Sequence, residues 1–362
     1  MQIKHIHGGN LWAAADQNGL SPREMMDFSA NINPLGASTA AVEGIITNLD
    51  TIIHYPDPNC VKLKRAVAEH TGMGVDNILM GNGAVELVYL LLSTLRPKQV
   101  LLPAPTFGEY ESAVLIAGGQ VTDYFTPEEK GFAIQVEDIL ARLAEVDMVV
   151  ICNPNNPTGT LMTAEEIMTV VREARKQQVF VMVDEAFLDF LPDRQRYSVA
   201  PYVENHENLF VSYSLTKFLG MPGLRLGAAF ACSQMIRLLE ARKDPWNVNC
   251  LAQIAGEISL QDKEYLENTR QIVAQEKDYL FKGLQKIKGL TPYYPSVNYI
   301  MVKLPEGTTA AELQQALFQY KIMIRDCSSY KNLSQSYIRV AVKDRASNHL
   351  LLRALKAIYG EG

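Results

Sequence analysis

The chain has no long apolar run, no internal repeat and no low-complexity linker, and it is poor in cysteine. No stretch approaches the roughly 18 consecutive apolar residues that a membrane-spanning helix requires. The five cysteines are Cys60, Cys152, Cys232, Cys250 and Cys327. None forms a CxxC pair or lies at metal-ligand spacing, which argues against a zinc site or a disulfide scaffold. Their odd number and scatter fit a reducing compartment. The opening residues Met1-Gln2-Ile3-Lys4-His5 show no apolar core of a signal peptide, so a cytoplasmic protein without a metal is expected. A strong positive charge is also absent. The formal net charge of -6 argues against a general nucleic-acid or membrane-surface role.

What is present is ordinary in bulk and specific in order. The 362 residues are 48% hydrophobic and 20% charged, enough for a large core and about two domains. Short apolar runs (Val100-Leu101-Leu102, Met148 to Ile151, Phe180 to Val183, Leu209-Phe210-Val211) alternate with amphipathic stretches. One of these stretches, 164–178, opens at Thr163 with Glu166 three residues on, the pattern of a capping box. Such runs read as strands buried on both faces of a mainly parallel sheet, so the fold class is α/β. Ligands in these sheets bind beyond the carboxyl ends of the strands. From about Leu251 a long charged amphipathic stretch runs to about Lys288. It is followed by a strand at 298–302, a helix at 310–320, a strand pair around Met323 and 338–340, and a last helix at 345–359. The expected division is an N-terminal arm and substrate-binding segment (1–35), a large domain (36–250) and a smaller α+β domain (251–362).

Lys217 follows the apolar run Leu209-Phe210-Val211, in Ser214-Leu215-Thr216-Lys217. An ammonium at the end of a buried strand is costly. Desolvation lowers its pKa, and the neutral amine can then attack an aldehyde. Hydroxyls before it, and Arg225 eight residues on, suggest a phosphate nearby. Together they read as an anchor for pyridoxal 5'-phosphate. The glycine turn Gly81-Asn82-Gly83-Ala84 opens an apolar helix, a natural anion site. Asp184 at a strand end could hold a protonated pyridine nitrogen. Asn156, in NPNNPTG, could donate to the phenolic oxygen, and Phe107 could cover the ring. Taken singly, each has a plainer reading as a turn, a cap, a salt bridge or a core aromatic.

Two further arginines, Arg325 and Arg339, lie inside apolar strand-like segments. Without an anion such a charge is costly, and the guanidinium fork suits a carboxylate or phosphate. Either a structural salt bridge or a substrate with two anionic ends would satisfy them.

The joint order of glycine turn, aromatic, NPNNPTG, DEA, SLTK and SLTKFLGMPGLRLG resembles the fold-type I pyridoxal-phosphate enzymes of the aminotransferase class I/II group over nearly the whole chain. The resemblance implies that Lys217 is the Schiff-base lysine and Asp184 the pyridinium partner. It implies that Asn156 donates to the phenolic oxygen and that Phe107 stacks on the ring. Ser214, Thr216, Arg225 and the Gly83 and Ala84 amides would hold the phosphate. It also implies a homodimer in which Tyr55 reaches the partner's cofactor. Within the group, His7-Gly8-Gly9-Asn10 and DFSANINPLG (27–36) look like segments of the enzymes that decarboxylate L-threonine O-3-phosphate for cobalamin assembly. Phe187 stands where the aminotransferases usually carry tyrosine. His7, Gly8, Asn31, Asn156, Arg325 and Arg339 would then bind a phosphorylated amino acid. Ala84 departs from the acidic residue those decarboxylases carry after GNG. The alternative is amino transfer on a phosphate-bearing substrate such as histidinol phosphate.

Overall fold

The computed structural model describes residues 8–360, so His7 lies outside the described residues. Seven strands form the central sheet: β1 (Ile78–Gly81), β2 (Gln99–Ala104), β3 (Gln120–Phe125), β4 (Met148–Cys152), β5 (Phe180–Asp184), β6 (Leu209–Ser214) and β7 (Gly227–Ala231). Their order is β1-β7-β6-β5-β4-β2-β3. The run from β6 through β5, β4 and β2 to β3 is parallel, while β7 runs antiparallel to both β6 and β1.

Each of the short apolar runs is a strand, and successive side chains alternate between two cores. Val149, Ile151, Val181, Val183 and Val211 face one core with the helix Ala164–Lys176. Val150, Met182 and Phe210 face the other with the helix Ala84–Leu95, here α1. The expected capping box is present, with Thr163 and Glu166 satisfying each other's backbone amides. The chain order reverses between β2 and β4. Cys152, Asp184 and Ser214 therefore end neighbouring parallel strands beside the crevice where such sheets bind ligands.

Three sequence expectations change. The stretch from Leu251 is two helices, Cys250–Gln261 and Lys263–Leu284. They break at Asp262, whose side chain accepts from the Tyr265 amide and from Ser38. The pattern changes at Leu251 but the packing does not: Ala252, Ala255, Leu266 and Val273 lie in the same core as the sheet, and a second core begins near Leu280. The strand Ile322–Met323 does not pair with 337–341. It runs parallel to Met26–Asp27, and Arg325–Asp326 takes the antiparallel place beside Tyr337–Ala341. The segment 26–28 is accordingly more than an arm, since Phe28 is fully buried in the second core.

A buried charge cluster fixes the segment after β5. Asp189 accepts from the Tyr213 hydroxyl on β6, pairs with Arg194 and approaches His70 Nε2 at 3.3 Å. Burial alone would raise the Asp189 carboxyl, but His70, Arg194 and Tyr213 together hold it well below the usual carboxylate range. Its contribution to stability is therefore present at neutral pH and is lost as the pH falls through that lowered value. Asp189→Ala should leave Arg194 without its carboxylate and cost about 3–5 kcal/mol. Urea denaturation followed by fluorescence should show the midpoint fall while the far-UV spectrum stays native.

Candidate active site at the carboxyl ends of the strands

A cavity of about 340 Å³ opens where β4, β5 and β6 end. Lys217 is on its floor, in the short helix Leu215–Phe218 that continues β6. Its ammonium is pushed down to about 8, first by burial, then by Arg339 and Arg225, with Asp184 opposing. Asp184, the last residue of β5, is buried. Its Oδ2 accepts from the Tyr110 hydroxyl at 2.6 Å and its Oδ1 from the Ala186 amide at 3.0 Å. Burial raises this carboxyl in spite of both donors, so a cationic N–H in the cavity would relieve it. Cys152 also lines the cavity, and burial pushes its thiol up to about 12, which leaves it protonated.

At the other end, the glycine turn meets α1. Gly83 has φ +85°, and a Cβ there would come within 2.5 Å of Arg225 Nη2. A Cβ on Gly227 would come within 2.3 Å of the Ala84 nitrogen. Arg225, exposed at the cavity mouth, itself adopts left-handed φ of 58°. Ser214 and Thr216 bring their hydroxyls within 2.8 Å of each other. Helix N-terminus, guanidinium and paired hydroxyls form a cradle sized for a phosphate. With Lys217, Asp184 and the cavity-facing Phe107, the residues present fit pyridoxal 5'-phosphate.

Arg339 forms the opposite wall. It is 5% exposed, and its hydrogen-bond partners among the described residues are neutral: Asn156 Oδ1, the Tyr330 hydroxyl at 3.4 Å and the Ser29 carbonyl at 2.7 Å. Its Nε has no partner, and among the described residues no carboxylate pairs with it. Arg325 faces it directly across the antiparallel pair, two like charges in register. Among the described residues the salt-bridge reading of Arg339 finds no carboxylate, and the site has room for an anion there. With Oδ1 of Asn156 held by Arg339 and Tyr330, its Nδ2 is the end available to a ligand. Asn31, 4% exposed, presents a second unsatisfied group, Oδ1.

Of the residues expected from the sequence, Gly8, Asn31, Ala84, Phe107, Asn156, Asp184, Ser214, Thr216, Lys217, Arg225 and Arg339 line this one cavity. Gly83 caps α1 beside it. Arg325 stands one strand behind, over the Tyr330 ring at 5.2 Å. Tyr55 is not among the lining residues. It is 79% exposed and stacks on Trp246. Sequence reading missed Ser29, Glu109, Tyr110, Cys152 and Tyr330. Tyr110 could have been found, since it lies one helical turn after Phe107. Ser29 acts through its carbonyl, which no side-chain pattern reports.

The sequence also has close relatives. A threonine-phosphate decarboxylase of Salmonella typhimurium is 33% identical over 97% of this chain and 96% of its own. A Caldanaerobacter subterraneus protein that provisionally carries the same name is 39% identical over 98% of this chain and 94% of its own. The crystal structure of a histidinol-phosphate aminotransferase from Clostridium acetobutylicum superposes with a TM-score of 0.85 at 31% identity, covering 91% of this chain and 98% of that one. The model of the family "Aminotransferase class I and II" matches residues 23–358, and with a cavity built from that family's motif residues at the strand ends, the chain belongs to this family.

Proposed function

We propose that the protein is a pyridoxal-phosphate-dependent decarboxylase that converts L-threonine O-3-phosphate to (R)-1-amino-2-propanol phosphate and carbon dioxide, for cobalamin assembly. One observation carries the choice within the family. The segment that resembles the decarboxylases is at the site: Gly8, Ser29, Ala30 and Asn31 all line the cavity. The relatives at 39% and 33% identity bear the decarboxylase name. The buried Arg339, lacking a carboxylate, supports an anionic substrate.

When bound, the cofactor supplies a conjugated ring that takes up the electron pair released at the substrate α-carbon. The protein's residues do the rest. Lys217 would hold the aldehyde and release it to the substrate amine. Asp184, kept in place by Tyr110 and the Ala186 amide, would stabilise the proton on the ring nitrogen. Arg339 and Asn31, with Arg325 one strand behind them, would bind and orient the substrate's anionic and polar groups and so select which α-carbon bond is broken. Phe187 packs edge-on against Tyr299 and has no hydroxyl to donate, so Asn156 would be the side-chain donor to the phenolic oxygen. As the carboxylate leaves as carbon dioxide, the freed Lys217, carrying the proton it takes from the substrate ammonium, would return that proton to the α-carbon. The five free cysteines accord with a cytoplasmic location, and among the described residues no helix is long and apolar enough to cross a membrane. Exposed Ile46, Ile52, Ile53 and Tyr55 form an apolar surface suited to a second copy of the chain.

Three outcomes test this reading. O-phospho-L-threonine should release one carbon dioxide per aminopropanol phosphate formed. Conversion of the cofactor to its amine form by histidinol phosphate, with no carbon dioxide from phosphothreonine, would establish amino transfer instead. In cofactor-free protein, borohydride trapping of a small aldehyde on Lys217 should rise with pH and level off above about 8. At neutral pH roughly a tenth of the amine would be reactive, and Lys217→Ala should trap none there. Co-expressed Tyr55→Ala and Lys217→Ala chains should form hybrid dimers with one intact site, recovering about a quarter of native activity if Tyr55 serves the partner. Mixed chains as inactive as either parent would show that it does not.

A further inference from the structure

The loop between the strands Arg325–Asp326 and Tyr337–Ala341 crosses from the second core to the sheet and places one side chain in the cavity. Three successive residues make the crossing. Lys331 Nζ reaches Glu111 and Asp123, each at 2.8 Å. Asn332, in left-handed φ of 66°, donates from Nδ2 to the carbonyls of Ala104 at 3.1 Å and Thr126 at 2.8 Å. Ala104 ends β2 and Thr126 follows β3, so this amide is bonded to the rim of the sheet. The ion pairs of Lys331 are surface pairs of small worth. The Asn332 bonds are directional and tie the loop to main chain.

Tyr330 is what this clasp positions. It is 8% exposed, and its hydroxyl donates to Asn156 Oδ1 at 3.3 Å. Arg339 Nη1 lies 3.4 Å from the same hydroxyl, and the Arg325 guanidinium lies over the ring. One side chain thus touches the asparagine and both arginines. The backbone turn that carries it is closed by Tyr330 N to Cys327 O at 3.0 Å and Leu333 N to Tyr330 O at 3.1 Å.

We propose that Tyr330 is a positioning residue that fixes which end of the Asn156 amide faces the cavity, and that Asn332 is the clasp that holds Tyr330 there. The inference rests on the reading of the cavity as a pyridoxal-phosphate site but not on the identity of the substrate. An amide whose Oδ1 is doubly held offers Nδ2 to the ligand. Remove the hydroxyl and Arg339 alone holds Oδ1, so donation to the cofactor's phenolic oxygen weakens. A weaker donor stabilises the deprotonated form less, and the cofactor keeps its proton to higher pH.

The measurement is the pH titration of the visible absorbance of cofactor-loaded protein without substrate. Tyr330→Phe keeps the ring under Arg325, and its midpoint should move up by about half a pH unit or more. Asn332→Ala, which touches neither cofactor nor arginine, should move the midpoint in the same direction by less. With O-phospho-L-threonine, Tyr330→Phe should raise KM about tenfold and change kcat less. A native midpoint in folded Tyr330→Phe protein would overturn the role of Tyr330. A native midpoint in Asn332→Ala alone would overturn the clasp. Because the titration needs no substrate, failure of the decarboxylase reading would leave its result intact. If Tyr330→Phe does not fold, Tyr330→Leu takes its place in the same titration, and a native midpoint there would overturn the role of Tyr330.

Discussion

Arg339 places a full positive charge where the described protein supplies no opposite one, and much of the site is organised around that imbalance. Its three partners are neutral oxygens, and its Nε has none. A strand of the second core carries the arginine, Ser29 of the N-terminal segment supplies a carbonyl, and Asn156 comes from the loop after β4. The guanidinium is therefore where three separate parts of the chain meet. Neutral oxygens can orient a buried cation but compensate its lost hydration only in part. The remainder is available to a ligand as binding free energy.

The same imbalance acts at Lys217. Burial is the largest cause of its lowered pKa, and Arg339 and Arg225 come next. The charges that attract an anionic ligand thus also hold the anchoring amine nearer its neutral, reactive form. Binding of anions at those arginines would reduce their effect on Lys217, so amine reactivity is greatest before the cradle is filled. Asp184 faces the reverse problem, with its carboxyl raised by burial and steadied by Tyr110 and the Ala186 amide. Lysine and aspartate are each disfavoured in their charged forms, and a ring carrying an aldehyde at one end and a basic nitrogen at the other suits both.

How much of this was legible depends on where each signal lives. The parallel sheet could be read because its strands are short, apolar and buried on both faces, and because polar residues punctuate their ends: Asp184 after Val183, Ser214 before Lys217. The N-terminal strand could not, since Met26–Asp27 and Ile322–Met323 are two-residue elements whose pairing depends on tertiary contact alone. The break at Asp262 was hidden because the apolar periodicity continues across it. At the site, Lys217, Asp184 and Asn156 sit in motifs whose spacing has chemical meaning. Tyr110 and Tyr330 do not. Each is an aromatic among sixteen tyrosines, and only the fold shows that one hydroxyl meets Asp184 and the other meets Asn156.

The arginine pair bears on why a phosphate ester would be preferred over a plain amino acid. Arg325 and Arg339 face each other in antiparallel register, so each raises the cost of the other's charge. A carboxylate brings one negative charge to this region, whereas a phosphate monoester brings about -1.5 to -2 near neutral pH. Arg225, the α1 amides and the Ser214–Thr216 hydroxyls lie at the opposite end of the cavity, where they would be occupied by the cofactor's own phosphate. On the proposed reading, Arg339 would then be left to the substrate. A substrate carrying both a carboxylate and a phosphate is the smaller departure from neutrality. Selection for it needs no close shape match, because a substrate missing its phosphate would bring less negative charge to Arg339 than the phosphate ester does.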